Sequence, residues 1–384
     1  MNEAKKSRKL FKHVVAPFFM GVKSTIYNCK KGLINLLPLK TPVIKENTFI
    51  VWEPCSKSHS EVVPGFVKYF HDLGYHVSVL VDKDRLKEGL FSRYNLENVS
   101  YNKMSSDEIK RYFTESDLSD IKGVLVTTMG KICDCENPQS AYEYFNPNTD
   151  RTKLHFVEHE ASFAINKGTW NEKLVTLREL NYQGAKSVVI NPHYFGDVKI
   201  NQKNEVTNFI TVGTLKPRKK DCGMIIDAAM ELHNKGINNF KVTVVGKGSL
   251  KHLPKEIRKY FDIKGRLPFS KMYDEIEKAD FMLTAYDDKN FEHQRYITTG
   301  TSGNFQLIYG FLKPCILIES FAPINRFNNE NSILYKEPKD YANALEKAIR
   351  MNNNDYKIMQ NALKQTVAEV YNDSLNNLKG ALNG

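Results

Sequence analysis

The chain has 384 residues, 41% of them hydrophobic, 11% aromatic and 26% charged. That composition excludes a disordered or collagen-like polymer and leaves room for two, or at most three, packed domains. A net charge of +11 suggests a nucleic-acid binder until the charge is located: residues 1–45 hold ten cations against one anion, which leaves a net of two for the whole remaining body and excludes a phosphate backbone as its partner.

In the N-terminal segment Leu10, Phe11, Val14, Val15, Phe18, Val22 and Ile26 step by three and four, the spacing of one helix face. Pro17 weakens that helix at one point. The apolar run from Val14 to Val22 is far short of the ~18 residues that span a bilayer, and lysines follow where a cleavage site would stand. An amphipathic, basic helix suits an anionic membrane surface, the alternative being packing on the body. The expected location is cytoplasmic, peripheral on the inner face of the cell membrane. Six scattered cysteines fit a reducing compartment rather than a disulfide framework, and Cys133 with Cys135 lacks a second pair at zinc spacing, so no metal is expected.

From residue 47 short β-rich runs alternate with helical stretches. A strand is predicted over 48–52, a helix over 61–73 and a strand over 76–81, with further strands over 123–127, 154–157 and 187–190. The loop after the first strand reads EPCSKSHSEVVPG, and its Ser58, His59 and Glu61 are candidate acceptor contacts, although Ser58 with Glu61 also fits a capping box. In HFVEHEASF a predicted strand ends in Glu158, His159 and Glu160. A histidine or carboxylate there could deprotonate an acceptor hydroxyl or stabilise positive charge at an anomeric carbon; a turn with solvated charges is the alternative.

A polar stretch over 197–206 reads as a linker, and the alternation then restarts. Strands are predicted over 208–212, 241–245, 281–285 and 315–318, helices over 222–235, 272–278, 304–311, 341–351 and 355–378. The loop VGTLKPRKKD sets Gly213, Thr214, Lys216, Arg218 and Lys219 between a strand end and a helix, the groups a diphosphate needs. TGTSGN offers a second phosphate cradle through Thr301, Ser302, Gly303 and Asn304, or an ordinary capped helix. The pattern as a whole predicts an α/β chain of two tandem Rossmann-like doubly wound domains, residues 46–200 and 207–352. Residues 1–45 form the N-terminal extension, and a C-terminal helix, 353–384, is free to cross back to the first domain.

In order, VGTLKPRKKDCGMIIDAA, VTVVGKGSL, IKGRLPFSKMYDEIEKADFMLTAY, FLKPCILIES and NNENSILYKEPKDYANALEKAI resemble the donor-binding domain of GT-B glycosyltransferases. Within that fold they are similar to the large retaining family-four type, which includes many bacterial surface-polysaccharide enzymes, over about residues 207–350. The resemblance implies that Lys219 meets the diphosphate, that Gly246 and Gly248 form the turn under the nucleotide, and that residues 301–304 lie under the phosphates and sugar. The family's strand-end arginine is Thr214 here, with Arg218 able to supply the charge; its second glutamate falls on Leu307, and Glu292 stands for the first. The implied function is transfer of a sugar from a nucleotide-sugar such as a UDP- or GDP-sugar to a glycan or lipid-linked acceptor, retaining and without a metal or other cofactor. A catalytically silent binding subunit of a glycosylation complex, and an enzyme that transfers another phosphate-bearing group or epimerises a nucleotide-sugar, are the alternatives.

Overall fold

The computed structural model describes residues 38–54, 59–134, 136–215 and 220–383. The N-terminal helix expected over 1–45 therefore lies almost wholly outside the described residues, and among these no helix is long and apolar enough to cross a membrane.

The first unit is a five-stranded parallel sheet, β1 (Thr48–Trp52), β2 (His76–Leu80), β3 (Val99–Asn102), β4 (Gly123–Val126) and β5 (Leu154–Phe156), in the order β3-β2-β1-β4-β5. All five residues of β1, TFIVW, are buried, as expected of a central parallel strand covered on both faces. On one face α1 (Val63–Asp72) lays Phe70 on Phe49, ring centroids 3.9 Å apart. On the other, α3 (Ser106–Glu115) packs Phe113 against Trp52 and starts with a capping box between Ser105 and Glu108. Two short helices, α2 (Lys83–Lys87) and α4 (Ser162–Asn166), follow β2 and β5.

The stretch predicted as a strand over 187–190 is only a two-residue rung, β7 (Val188–Val189), paired with β6 (Val175–Thr176) outside the main sheet. Pro192 lacks an N–H with which to prolong the ladder, and its backbone packs 2.3 Å from where a Cβ on Gly65 would stand.

The second unit is a six-stranded parallel sheet in the order β10-β9-β8-β11-β12-β13. Its strands are β8 (Thr207–Val212), β9 (Phe240–Val245), β10 (Phe261–Gly265), β11 (Phe281–Leu283), β12 (Cys315–Ile318) and β13 (Ile333–Tyr335). They alternate with α5 (Lys220–Asn234), α6 (Phe269–Lys278), α7 (Phe291–Thr298), α8 (Gly303–Phe311) and α9 (Tyr341–Arg350). Residues 197–206 are fastened to this unit, where Asn204 donates its amide to Asp280 at 3.0 Å and Lys203 its ammonium to the Ile349 carbonyl at 3.3 Å.

The last helix, α10 (Asn353–Asn383), sets Tyr356, Met359 and Leu363 in the second core and Leu378 in the first. Ser374 accepts the Asn191 amide at 3.0 Å and Asn377 donates to the Val189 carbonyl at 2.9 Å, so one helix grips both units. Strand order reverses direction between β1 and β4 and between β8 and β11, which is where doubly wound sheets open a crevice at their carboxyl ends.

Candidate functional site

The two carboxyl edges meet across a cleft of about 680 Å³. The second unit's wall is built around two glycine turns and a helix start. Gly213 and Gly246 follow β8 and β9 with φ of 147° and 151°, and a Cβ on Gly246 would stand 1.6 Å from the Gly213 carbonyl oxygen, so no side chain fits. The Leu215 amide closes the turn on the Lys247 carbonyl at 2.7 Å. Beside these turns α8 begins. Ser302 is its N-cap, accepting from the Asn304 amide at 3.4 Å, and Ser302, Gly303 and Asn304 all line the cleft. Free N–H groups and the positive end of the helix dipole make such a start attractive to anions.

Gly213 and Thr214 thus share one cleft with Gly246 and residues 302–304. Lys216, Arg218 and Lys219 lie outside the described residues, as does Ser58. Gly248 is exposed and does not line the cleft; it packs under the turn, its Cβ position 3.2 Å from Leu215. The Thr301 hydroxyl is buried without a partner. Glu292 is exposed on the first turn of α7, its amide held by Asn290, and does not line the cleft. Leu307, onto which the family's second glutamate falls, does line it, with an apolar side chain. Sequence reasoning missed Lys247, Arg85 and Arg266, which also line the cleft. Lys247 and Arg266 both stand inside motifs quoted above, VTVVGKGSL and IKGRLPFSKMYDEIEKADFMLTAY, whereas Arg85 comes from the other unit and carries only a fold-level signal.

The first unit's wall is made of titratable side chains. Glu61 lines the cleft, with its Oε1 3.2 Å from the Cβ position of Gly303, and burial pushes its carboxyl up to about 8. It is therefore mostly protonated at neutral pH and able to donate.

Next to the cleft, residues 158–160 pack on the loop that leads into α8, the Cβ position of Gly300 being 3.1 Å from the His159 carbonyl. Glu158 is 6% exposed; its Oε1 accepts the His159 and Glu160 amides at 2.8 and 3.0 Å, while Oε2 has no partner. Burial raises it to about 7, against the pull of those two amides. Glu160 instead takes the Thr299 hydroxyl and the Ser162 amide, holding the loop in place.

The His159 ring fixes its own tautomer. Nε2 lies 2.7 Å from the Thr127 carbonyl, which can only accept, so Nε2 carries the proton. Burial, then the neighbouring His59, lowers its pKa to about 4, leaving a neutral ring whose Nδ1 accepts. His59 Nδ1 is 3.3 Å away and must then be the donor. With His59 also lowered, by burial and then Lys131, the pair ends in a lone pair on His59 Nε2. Behind both stands Glu53, 1% exposed, accepting the Thr127 and Thr128 hydroxyls at 2.6 and 2.8 Å. An acidic residue directly after the apolar run of residues 49–52 is the sequence signal for it.

No protein-family model matches the sequence, and no curated protein does. Among solved structures the chain is similar to AviGT4, a glycosyltransferase involved in avilamycin A biosynthesis, at 13% identity and a TM-score of 0.50, covering 88% of this chain and 99% of that one. It is also similar to a mutant of S. aureus TarM in complex with fondaparinux, alpha-GlcNAc-glycerol and UDP, at 12% identity and a TM-score of 0.48 over 68% of this chain. The chain spans 56% of the length of that TarM. The pneumococcal O-GlcNAc transferase GtfA, in complex with UDP and GlcNAc, follows at 14% identity and a TM-score of 0.44, over 76% of this chain and 62% of that one. The fold is that of the GT-B glycosyltransferases.

Proposed function

We propose that this GT-B chain is a glycosyltransferase that moves a sugar from a nucleotide-sugar to a glycan or lipid-linked acceptor in surface-polysaccharide synthesis, with retention of configuration. The observation that carries the assignment is the single cleft in which the strand-end glycines 213 and 246 meet the start of α8. That meeting point suits two linked anionic groups, and the AviGT4-like fold supports it.

The donor's anomeric carbon loses its bond to the diphosphate and gains one to the acceptor oxygen. The leaving diphosphate is met by the helix start and by Lys247, and the sequence sets three more cations, Lys216, Arg218 and Lys219, soon after Gly213, so the chain's own cations would carry the charge that a metal would otherwise meet. The acceptor's proton passes to the lone pair of His59, with His159 and the Thr127 carbonyl holding that ring in the accepting tautomer. Glu61, protonated, offers a hydrogen bond across the cleft. The basic N-terminal segment would hold the enzyme at the inner membrane face, near a lipid-linked acceptor.

A thermal-shift series with UDP, GDP and their sugars tests the donor. A ligand that binds only the folded chain raises the melting temperature, so a uridine or guanosine diphosphate compound is expected to do so. A curve unmoved by every nucleotide at millimolar concentration would falsify the assignment.

A further inference from the structure

A second cavity, of about 360 Å³, lies where both units meet α10, and shares no lining residue with the cleft. Its charges cancel. Arg178 is balanced by Glu179, and Arg326 is paired with Asp373 at 2.7 Å. Nor has Arg178 much left for an anion. Its Nε donates to the Gly300 carbonyl at 2.7 Å, Nη1 to that of Glu179 at 2.6 Å and Nη2 to that of Arg295 at 3.3 Å.

What remains open in the walls is neutral hydrogen-bonding capacity. Asn191 is 8% exposed, with its Oδ1 3.2 Å from His193 Nδ1 and its side-chain Nδ2 without a partner among the described residues. Asn376 adds a carboxamide from α10, Asn377, whose nitrogen already donates to the Val189 carbonyl, adds its side-chain oxygen, and Val189 and Val370 give the walls an apolar patch. Amide groups at the edges with a small apolar face between them match a sugar ring, which has hydroxyls around its rim and C–H groups on its faces. The volume is at the lower end of ligand pockets, ~300–1,000 Å³, enough for one or two rings.

We propose that this cavity is a second binding site, for a neutral sugar unit, separate from the donor cleft. A bound ring would rest against Arg178, the side chain that also holds the Gly300 loop at the start of α8.

Isothermal titration of the full chain with D-glucose, D-galactose, N-acetylglucosamine and maltose tests it, a free monosaccharide and a longer glycan being distinguished by whether maltose binds more tightly than glucose. At least one probe is expected to bind saturably in the millimolar range. Asn376→Trp, which fills the cavity from an exposed helix position, and Asn191→Ala are each expected to weaken that binding tenfold or more, while the UDP isotherm of both variants stays within twofold of the parent. No saturable heat from any sugar, a sugar isotherm unchanged in Asn376→Trp, or sugar binding abolished by saturating UDP would each overturn the proposal. Loss of UDP binding by the parent chain would instead strike the glycosyltransferase assignment and leave the sugar result to decide the cavity.

Discussion

The two walls of the cleft are built from different materials. The second unit presents backbone turns flanked by cations: two glycines pressed together and the N–H groups of a helix start, beside Lys247 and Arg266. The first presents Glu61, whose carboxyl burial pushes upward, and beside that wall lies the His59–His159 pair, which burial pushes downward. A backbone wall can hold a ligand tightly but cannot exchange protons, whereas a wall of displaced titratable groups can. The proposed function divides binding and proton transfer between opposite units, so a substitution on either side of the cleft should disturb one of them and spare the other.

The largest effect is expected where backbone meets backbone. Gly246→Ala puts a Cβ 1.6 Å from the Gly213 carbonyl in a left-handed conformation, and should cost about 3 kcal/mol or more in urea unfolding. Gly213→Ala has the same backbone strain with nothing within 4 Å, so its cost should stay near ~1–2 kcal/mol. Equal midpoints for the two variants would break the idea of a wall set by close approach.

On the opposite wall, His59→Ala should lower kcat about 100-fold, the usual yield of a positioned base, with nucleotide affinity unchanged by titration. Weakened nucleotide binding with kcat intact would reverse the division of labour.

The smallest effect concerns pH. Because the Glu61 carboxyl is raised to about 8 in the folded chain, the folded state keeps a proton that the unfolded state has released. Its contribution to stability is present at low pH and is lost as pH rises through 8. Replacing it by a group that does not titrate, Glu61→Gln, should flatten the profile, the difference between parent and variant changing by about 2 kcal/mol at most between pH 6.5 and 8. Parallel profiles over that range would mean that the carboxyl is already ionised, and so not a hydrogen-bond donor.

Strands β4 and β12, GVLV and CILI, were legible because each is a short apolar run buried along its whole length; β12 runs from Cys315 to Ile318, as its pattern predicts. The edge strands β3 and β10 were not. VSYN and FDIKG are short and half-exposed, and they pair on one side only, so nothing in their periodicity separates them from loop. Among the residues that line the cleft, Gly213, Gly246 and residues 302–304 could be read because turn and cap chemistry is local. Glu292 was placed by counting along the chain, and helix α7 carries it to the surface instead.

The sequence by itself determined the alternation of strands and helices, the glycine turns at the strand ends and the segregation of positive charge into the first 45 residues, all of which depend on neighbours a few positions apart. Only the tertiary structure decided that Glu61 faces Gly303, that Thr127 fixes the His159 tautomer and that Arg178 holds the Gly300 loop. The partners in those pairs are 32 to more than 200 positions apart in the chain. Burial, which displaces the carboxyl and imidazole protons, exists only once segments distant in the chain have packed together.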